Sequence, residues 1–359
     1  MQKHEPKVTI IIIHYNTPHF LKTCFDHILK QTYKNIEVLF IDNNSKEKAG
    51  VNFAKTQAKT QSKDHPQIQV IENKENLGYA KAANQGIRLA LKDKDTKYIV
   101  ITNPDIIYSP TYFEKIIYRA KAESKANANA KTNAKPLAGI TGKIYKYDFG
   151  AKKSTKIIDT VGLYISKTFR ITDGAQGTLD QGQFDQEKEV FGISGACPLY
   201  SRAAIEQSAI TINNKTEYFD EDFFMYKEDV DLSWRLQRLG FRFLYYPKAV
   251  AFHGRGTGVI QRETLRQILK SRKHLSKFQR YYSYRNHNFT LLKNLTWSMY
   301  LRNFPRVIVS EILKTIYVIF REPFVLKSLI DYIKLFPKML KKRRIINLMS
   351  QSPQQHPKP

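Results

Sequence analysis

The sequence predicts an α/β protein wound around a mostly parallel sheet, followed by a smaller mixed sheet and a basic, helical C-terminal extension. Three observations carry this. Continuous β-branched runs recur at Val8–Tyr15, Ile36–Ile41 and Tyr98–Thr102, the pattern of strands buried on both faces. The stretches between them have helical apolar spacing, so strands and helices alternate to about residue 120. Two runs stop at a carboxylate, Asp42 directly and Asp105 through Asn103-Pro104. In an open α/β sheet that edge is where ligands sit.

Taken in order, Val8–Tyr15 opens the sheet. Thr17-Pro18 supplies an N-cap and a first-turn proline. The helix it starts runs to about Gln31, with Leu21, Cys24, Phe25 and Ile28 inward. Ile36–Ile41 completes a right-handed βαβ unit. Lys46–His65 is polar and lysine-rich, a solvated helix or loop. Ile68–Ile71 is a third strand, and Asn76-Leu77-Gly78 turns into a helix from about Tyr79 to Leu91. After the central strand, Pro104 ends pairing and keeps Asn103 out of the helical region. Ser109-Pro110 starts another helix, which the low-complexity Ala120–Lys135 extends as solvated helix or loop. From Leu137 to Tyr200 short runs at Ile140–Tyr147, Ile157–Ile165 and Val190–Tyr200 are broken by glycines and suggest the smaller sheet. Phe219–Tyr226 is aromatic and acidic. Glu228–Leu239 is a helix with Leu232, Leu236 and Leu239 on one face. Phe241–Tyr246 and Ala249–Phe252 are strands, ending at His253.

At 359 residues, 42% hydrophobic and 12% aromatic, the chain has material for an ample core. A formal net charge of +27 implies an anionic partner. The two cysteines, Cys24 and Cys197, sit in apolar contexts that suit buried thiols and resemble neither a disulfide framework nor a zinc site. Met1–Lys7 does not read as a signal peptide, and no run reaches the ~18 apolar residues of a membrane span. A cytoplasmic location is expected. From Trp297 to Pro359, twelve Lys/Arg face three Asp/Glu among apolar clusters. Basic helices of this kind suit a membrane interface, where Lys341-Lys342-Arg343-Arg344 would add roughly 1 kcal/mol per charge. The plainer alternative is a helical subdomain packed on the core.

Several residues are candidates for chemistry. Asp42 can accept from a base or a ribose hydroxyl, though before Asn43-Asn44-Ser45 it also reads as a turn former. Asn76-Leu77-Gly78-Tyr79-Ala80 offers backbone N–H groups at a helix start, suited to phosphate or to nothing more than a helix start. No G-x-G-x-x-G and no G-x-x-x-x-G-K-[ST] is present, which disfavours dinucleotide and P-loop enzymes. Asp105 can ligate a divalent cation, since Mg²⁺ needs only one or two carboxylates beside phosphate and water. Glu228-Asp229-Val230-Asp231 either complements a helix dipole or supplies a general base. His253 ends a strand before Gly254-Arg255-Gly256-Thr257-Gly258, where a metal or diphosphate role is open.

Assembled, these stretches resemble an inverting glycosyltransferase of family 2 with the GT-A fold, nearest its rhamnosyltransferase-like branch. The matching segments are IIIIHYNTPHFLKTC, VLFIDNNS, NLGYAKAANQGI, YIVITNPDI, ISGACPLYSRAAI and FDEDFFMYKEDVDLSWRLQRLGFRFLYYPKAVAFHGRG, in the family's order over roughly residues 8–258. The resemblance implies a nucleotide-diphospho-sugar transferase domain over 1–258, with a nucleotide-binding half at 1–120 and an acceptor half at 137–258. A basic helical region would follow at 259–346 and a disordered tail at 347–359. Tyr15 and Asn16 would line the nucleotide pocket and Asp42 would hold the base. Asn76, Gly78 and Asn84 would lie near the diphosphate and donor sugar, and Gly195 and Ala196 would border the sugar. Asp105 matches the last acid of the family's D-x-D motif and would bind Mg²⁺ or Mn²⁺, with His253 as an extra ligand. Asp229 matches the catalytic base. Asn103 replaces the first acid of that motif, which loosens the expected metal site. Implied partners are a dTDP- or UDP-sugar donor, a lipid-linked glycan acceptor and the inner, anionic membrane face. Nucleic acid is not expected, because the acids at strand ends would repel phosphate. A nucleotidyltransferase is disfavoured because His14–His19 is not a glycine- and lysine-rich loop.

Overall fold

The runs marked as strands lie side by side in the computed structural model, which describes residues 5–60, 66–129, 135–254, 272 and 275–351. Strand β1 (Lys7–His14) pairs in parallel with β2 (Ile36–Asp42) and with β4 (Thr96–Thr102), and β2 pairs with β3 (Gln67–Glu72). Helices α1 (Pro18–Leu29), α2 (Ala49–Lys59), α3 (Gly78–Ala90) and α4 (Tyr112–Asn129) connect and cover them. The two-residue period of a strand divides each run between two cores. Ile10, Ile12, Phe40 and Val100 pack with Phe25, Ile28 and Ile116 of α1 and α4. Ile11, Ile13, Leu39 and Ile101 pack with Ala83 and Ile87 of α3 on the other face. The lysine-rich segment after β2 is less solvated than expected, because Val51 and Ala54 of α2 are buried. Helix α4 carries the low-complexity sequence on to Asn129, and Arg119 and Arg242 hold its Glu123.

The expected smaller mixed sheet is the mixed flank of the same ten-stranded sheet. Its order is β10-β14-β6-β11-β4-β1-β2-β3, where β6 is Leu137–Asp148, β10 Lys188–Val190, β11 Leu199–Ser201 and β14 Arg242–His253. The join is β11, which runs antiparallel to both β4 and β6 and so covers the edge that β4 would otherwise expose. Strand β5 (Ile106–Tyr108) pairs with β14, and β7 (Lys153–Thr160) with β6. Ribbons β8–β9 (Leu163–Ile165, Ile171–Asp173) and β12–β13 (Ile210–Ile212, Lys215–Glu217) stand apart. The two strands expected at 241–252 are one, β14, whose register shifts between Tyr246 and Val250. Pro247 lies there and has no N–H to give the ladder.

Helices α5 (Arg202–Gln207) and α6 (Glu228–Arg238) cover the mixed flank. The C-terminal region forms α7 (Lys277–Asn294), α8 (Trp297–Arg321) and α9 (Ser328–Gln351), with a 3-10 turn at Pro323–Lys327. Helix α9 runs five residues into the segment expected to be disordered. Arg238 of α6 holds it there, bonding Asn347 Oδ1 at 2.7 Å and Ser350 Oγ at 3.4 Å. The rest of that segment, 352–359, and the glycine-rich loop after Gly254 lie outside the described residues. Lys341–Arg344 is not a uniform basic patch. Lys342 is buried, and Arg343 donates to the Leu292 carbonyl at 2.5 Å, leaving Lys341 and Arg344 at the surface.

Candidate active site

Pairing of β5 with β14 sets Ile106 opposite His253 and so brings Asp105 beside it. Asp105 Oδ2 lies 3.3 Å from His253 Nε2, and the other ring nitrogen, Nδ1, lies 2.8 Å from Asp159 Oδ2. Burial opposes a charge on His253, but Asp105 and Asp159 outweigh it and push its pKa up to about 9. Among the described residues no three or more His, Cys, Asp or Glu are gathered for a metal. The donor set is therefore one carboxylate and one imidazole whose far nitrogen is fixed by a second carboxylate. It fits a divalent ion that would displace the Nε2 proton of His253 and take its other ligands from diphosphate and water. Asn103 acts through its backbone, its carbonyl accepting from Ile106 N–H at 3.3 Å to close the turn that presents Asp105.

The second acid comes from α6. Asp229 Oδ2 accepts from Gly195 N–H at 2.8 Å, and Oδ1 from Val230 N–H at 2.8 Å. Burial raises its pKa, partly offset by the Gly195 bond. Beside it, Glu228 is buried and its Oε2 has no hydrogen-bond partner among the described residues. Burial and Asp229 push Glu228 up to about 8, so the two titrate as a pair. Tyr79 bonds the loop that holds this acid. Its hydroxyl donates to the Gly195 carbonyl at 3.3 Å. Burial, then Glu228, Asp229 and Asp105, push its pKa well above the ordinary value. Ala196 is buried under the same loop, its carbonyl accepting from Thr102 Oγ1 at 3.2 Å.

Other expected site residues are already engaged. Asp42 is fully buried, facing His14 Nδ1 at 2.9 Å and the Ser45 N–H at 3.2 Å. Burial works against its charge, but Ser45 and His14 hold its pKa below the usual range. It fixes the loop ends rather than presenting an open carboxylate. Asn84 is also fully buried. Its amide donates to Phe219 O at 2.8 Å and accepts from Phe219 N–H at 2.8 Å, so it struts α3 against the acidic segment instead of reaching the donor. The N–H groups expected to be free at the start of α3 are taken. Leu77 N–H goes to Asn43 Oδ1 at 3.0 Å, Gly78 N–H to Asn76 Oδ1 at 2.9 Å and Ala80 N–H to Phe224 O at 3.1 Å. Gly78 has a φ of +76°, and a Cβ there would sit 2.4 Å from the Phe224 ring. Asn16, at φ +54°, bonds Lys46 N–H through Oδ1 at 2.9 Å, and Tyr15 beside it is 42% exposed at the sheet edge.

The segment that carries Asp229 is held by helices far away in sequence. Phe224, Tyr226 and Lys227 all have left-handed φ, at 63°, 69° and 70°. Such residues persist only where their surroundings over-determine them. Asn286 Nδ2 of α7 donates to the carbonyls of Phe223, Met225 and Tyr226 at 2.8–2.9 Å. Buried Lys293 bridges Asp220 at 2.5 Å and Asp231 at 2.7 Å. Buried Lys342 of α9 bonds Glu217, Asp220 and Asp222. Sequence reasoning missed these residues, and only the buried charge of 217–231 hinted at a cationic counterpart. Asp159 was also missed, although it ends an apolar run as Asp42 and Asp105 do.

A wound parallel sheet with an acid at its carboxyl edge, continued by a mixed flank whose covering helix carries a second acid, is the GT-A fold of nucleotide-sugar transferases. Two solved structures share it: GalNAc-T7 with UDP, GalNAc and Mn2+ (TM-score 0.52, 12% identity, 80% of this chain and 52% of that one), and TarS of S. aureus (TM-score 0.51, 13% identity, 96% and 52%). The chain thus spans about half the length of either. The profile of Glycosyl transferase family 2 matches residues 9–208. The chain belongs to that family and is a glycosyltransferase. It is 25% identical over 256 residues to the N-acetylglucosaminyl-diphospho-decaprenol L-rhamnosyltransferase of Mycobacterium tuberculosis, covering 68% of this chain and 75% of that one. It is 23% identical over 246 residues to a poly-beta-1,6-N-acetyl-D-glucosamine synthase of Staphylococcus aureus, covering 68% and 49%.

Proposed function

We propose that the protein is an inverting transferase that moves a sugar from a nucleotide donor to a hydroxyl of a lipid-linked glycan at the inner membrane face. Rhamnose from dTDP-rhamnose is the leading donor and a UDP-sugar the alternative. The observation that carries the reading is Asp229, a half-buried carboxylate at the start of α6 oriented by two backbone N–H groups. Asp229 takes the proton of the acceptor hydroxyl. The oxygen bonds to the anomeric carbon from the face opposite the nucleotide, the bond to diphosphate breaks, and the nucleoside diphosphate leaves with that electron pair. Gly195 and Ala196 border the sugar, and Tyr15 and Asn16 the nucleotide. Asn76 and Gly78 shape the loop facing the diphosphate. Asp42 and Asn84 serve as struts behind them. Asp105 and His253 would hold Mg²⁺ or Mn²⁺, with Asp159 fixing the imidazole. Bound there, the ion supplies Lewis-acid stabilisation of the departing diphosphate.

The test offers purified protein a panel of dTDP-, UDP- and GDP-sugars with a lipid-linked sugar acceptor and reads nucleotide release and product linkage. One donor should be consumed. Asp229→Asn should lose about 10²–10⁴-fold in kcat while nucleotide binding persists. Near-normal turnover in that variant would remove Asp229 from the mechanism.

A further inference from the structure

The apolar surface of α8 and α9 is unusual in being left uncovered. On α8, Val309, Ile312, Leu313, Ile316 and Phe320 recur at helical spacing and all are exposed, Phe320 at 78%. Beyond the turn, Ile330 and Ile333 of α9 continue the exposed surface, Ile333 at 74%. The exposed charges along this stretch are cationic: Arg302, Arg306, Arg321, Lys327 and Lys334. Its acids are engaged elsewhere, Glu311 with Lys314, Glu322 with Arg272 and Asp331 with Arg285. No helix among the described residues is long and apolar enough to cross a membrane. A second copy would set cationic rim against cationic rim, which disfavours self-association through this face. An anionic bilayer satisfies both halves of the surface, apolar stripe and basic rim.

An aromatic path leads from this stretch to the segment that carries Asp229. Phe324 in the turn lies under the Arg280 guanidinium, 5.0 Å from ring centre, and 5.9 Å from Lys277 Nζ. On the adjoining face of α7, Phe278 and Tyr282 lie one turn apart with their rings 4.6 Å from each other. Tyr282 stacks on Phe224 at 5.5 Å, and Phe224 packs on Gly78 beside Tyr79. Phe278 is 44% exposed, so the path is open at its outer end.

We propose that the exposed apolar faces of α8 and α9 dock in an anionic bilayer and that Phe278, Tyr282 and Phe224 form the acceptor track from that surface to Asp229. The exposed ring of Phe278 offers a face to a sugar at the outer end, and Lys277 beside it offers a cation to the lipid diphosphate. This rests on the proposed transfer to a lipid-linked acceptor. The experiment compares two acceptors bearing the same sugar, a long-chain lipid diphosphate in anionic vesicles and a short-chain, water-soluble analogue, with vesicle sedimentation in parallel. The wild-type protein should sediment with anionic but not neutral vesicles. The double variant Ile316→Asp, Phe320→Asp should bind vesicles at least tenfold more weakly. Its apparent KM for the vesicle-borne acceptor should rise at least tenfold, with kcat/KM on the soluble analogue within twofold of wild type. Phe278→Ala should raise KM for both acceptors with vesicle binding and kcat unchanged. Unchanged sedimentation of the double variant overturns the docking face, as does an equal loss on both acceptors. A concentration-dependent dimer dissolved by the same substitutions would assign the face to a second copy and overturn it too. Unchanged KM in Phe278→Ala overturns the track. If wild type uses neither acceptor, the proposed reaction fails, while sedimentation still decides the docking.

Discussion

The wound sheet and the C-terminal helices distribute charge and apolar surface in opposite ways. Among the parallel strands Ile10, Val38 and Val100 are buried and the Lys22–Asp26 pair of the covering helix α1 is exposed, although Lys143 of the mixed flank is buried against Asp180. In the C-terminal region, Lys293 and Lys342 are buried while Ile316, Phe320 and Ile333 face outward. The difference teaches that the same basic composition serves two purposes. Buried cations near α6 neutralise the acids of the segment that carries Asp229. Exposed cations on α8 and α9 border an apolar surface.

The sharpest way to break this comparison is Lys293→Met. It takes the lysine from buried Asp231 and leaves Asp220 with Lys342 alone, and removing one side of a buried pair costs about 3–5 kcal/mol. Lys22→Met on the exposed pair should cost no more than about 0.5 kcal/mol. Urea unfolding of both variants measures the contrast, and equal losses would erase it. The apolar side is tested next. Ile10→Ala in β1 should cost about 2–5 kcal/mol, whereas Ile316→Ala should stay within about 0.5 kcal/mol. The smallest effect is in pH dependence. With Glu228 pushed up to about 8, the folded state binds a proton that the unfolded state has released above the ordinary carboxyl range. Stability contributed by that proton is full below about pH 4.5 and is lost as pH rises through about 8. Glu228→Gln should therefore flatten the fall in Tm between pH 5 and 9. An unaltered slope would show that Glu228 is ionised throughout.

What the sequence reveals and what it hides follow the same division. Strands β1, β2 and β4 are legible because burial on both faces demands unbroken β-branched runs, and their ends locate Asp42 and Asp105. Asp229 is legible from local acidity at a helix start. Asp42 reads as a ligand contact because it is an acid at a strand end, and Asn84 only through the family resemblance, whereas tertiary packing shows His14 and Ser45 engaging the one and Phe219 the other. The joining of the mixed flank through β11 depends on strand pairing across distant sequence, which periodicity does not encode. Lys342 sits in a basic run that looks uniform until its three acidic partners, over a hundred residues away, are placed.

The hold of α7 and α9 on residues 217–231 also sets a timetable. Chains emerge from the ribosome N-terminal end first, and units fold as they become available. The parallel strands and their helices are synthesised well before Lys293 and Lys342. The segment from Glu217 to Asp231 gains its Asn286, Lys293 and Lys342 contacts only when those last helices arrive. A nascent chain would thus form its parallel sheet early and fix the segment that carries Asp229 late, among the last pieces of order that translation confers.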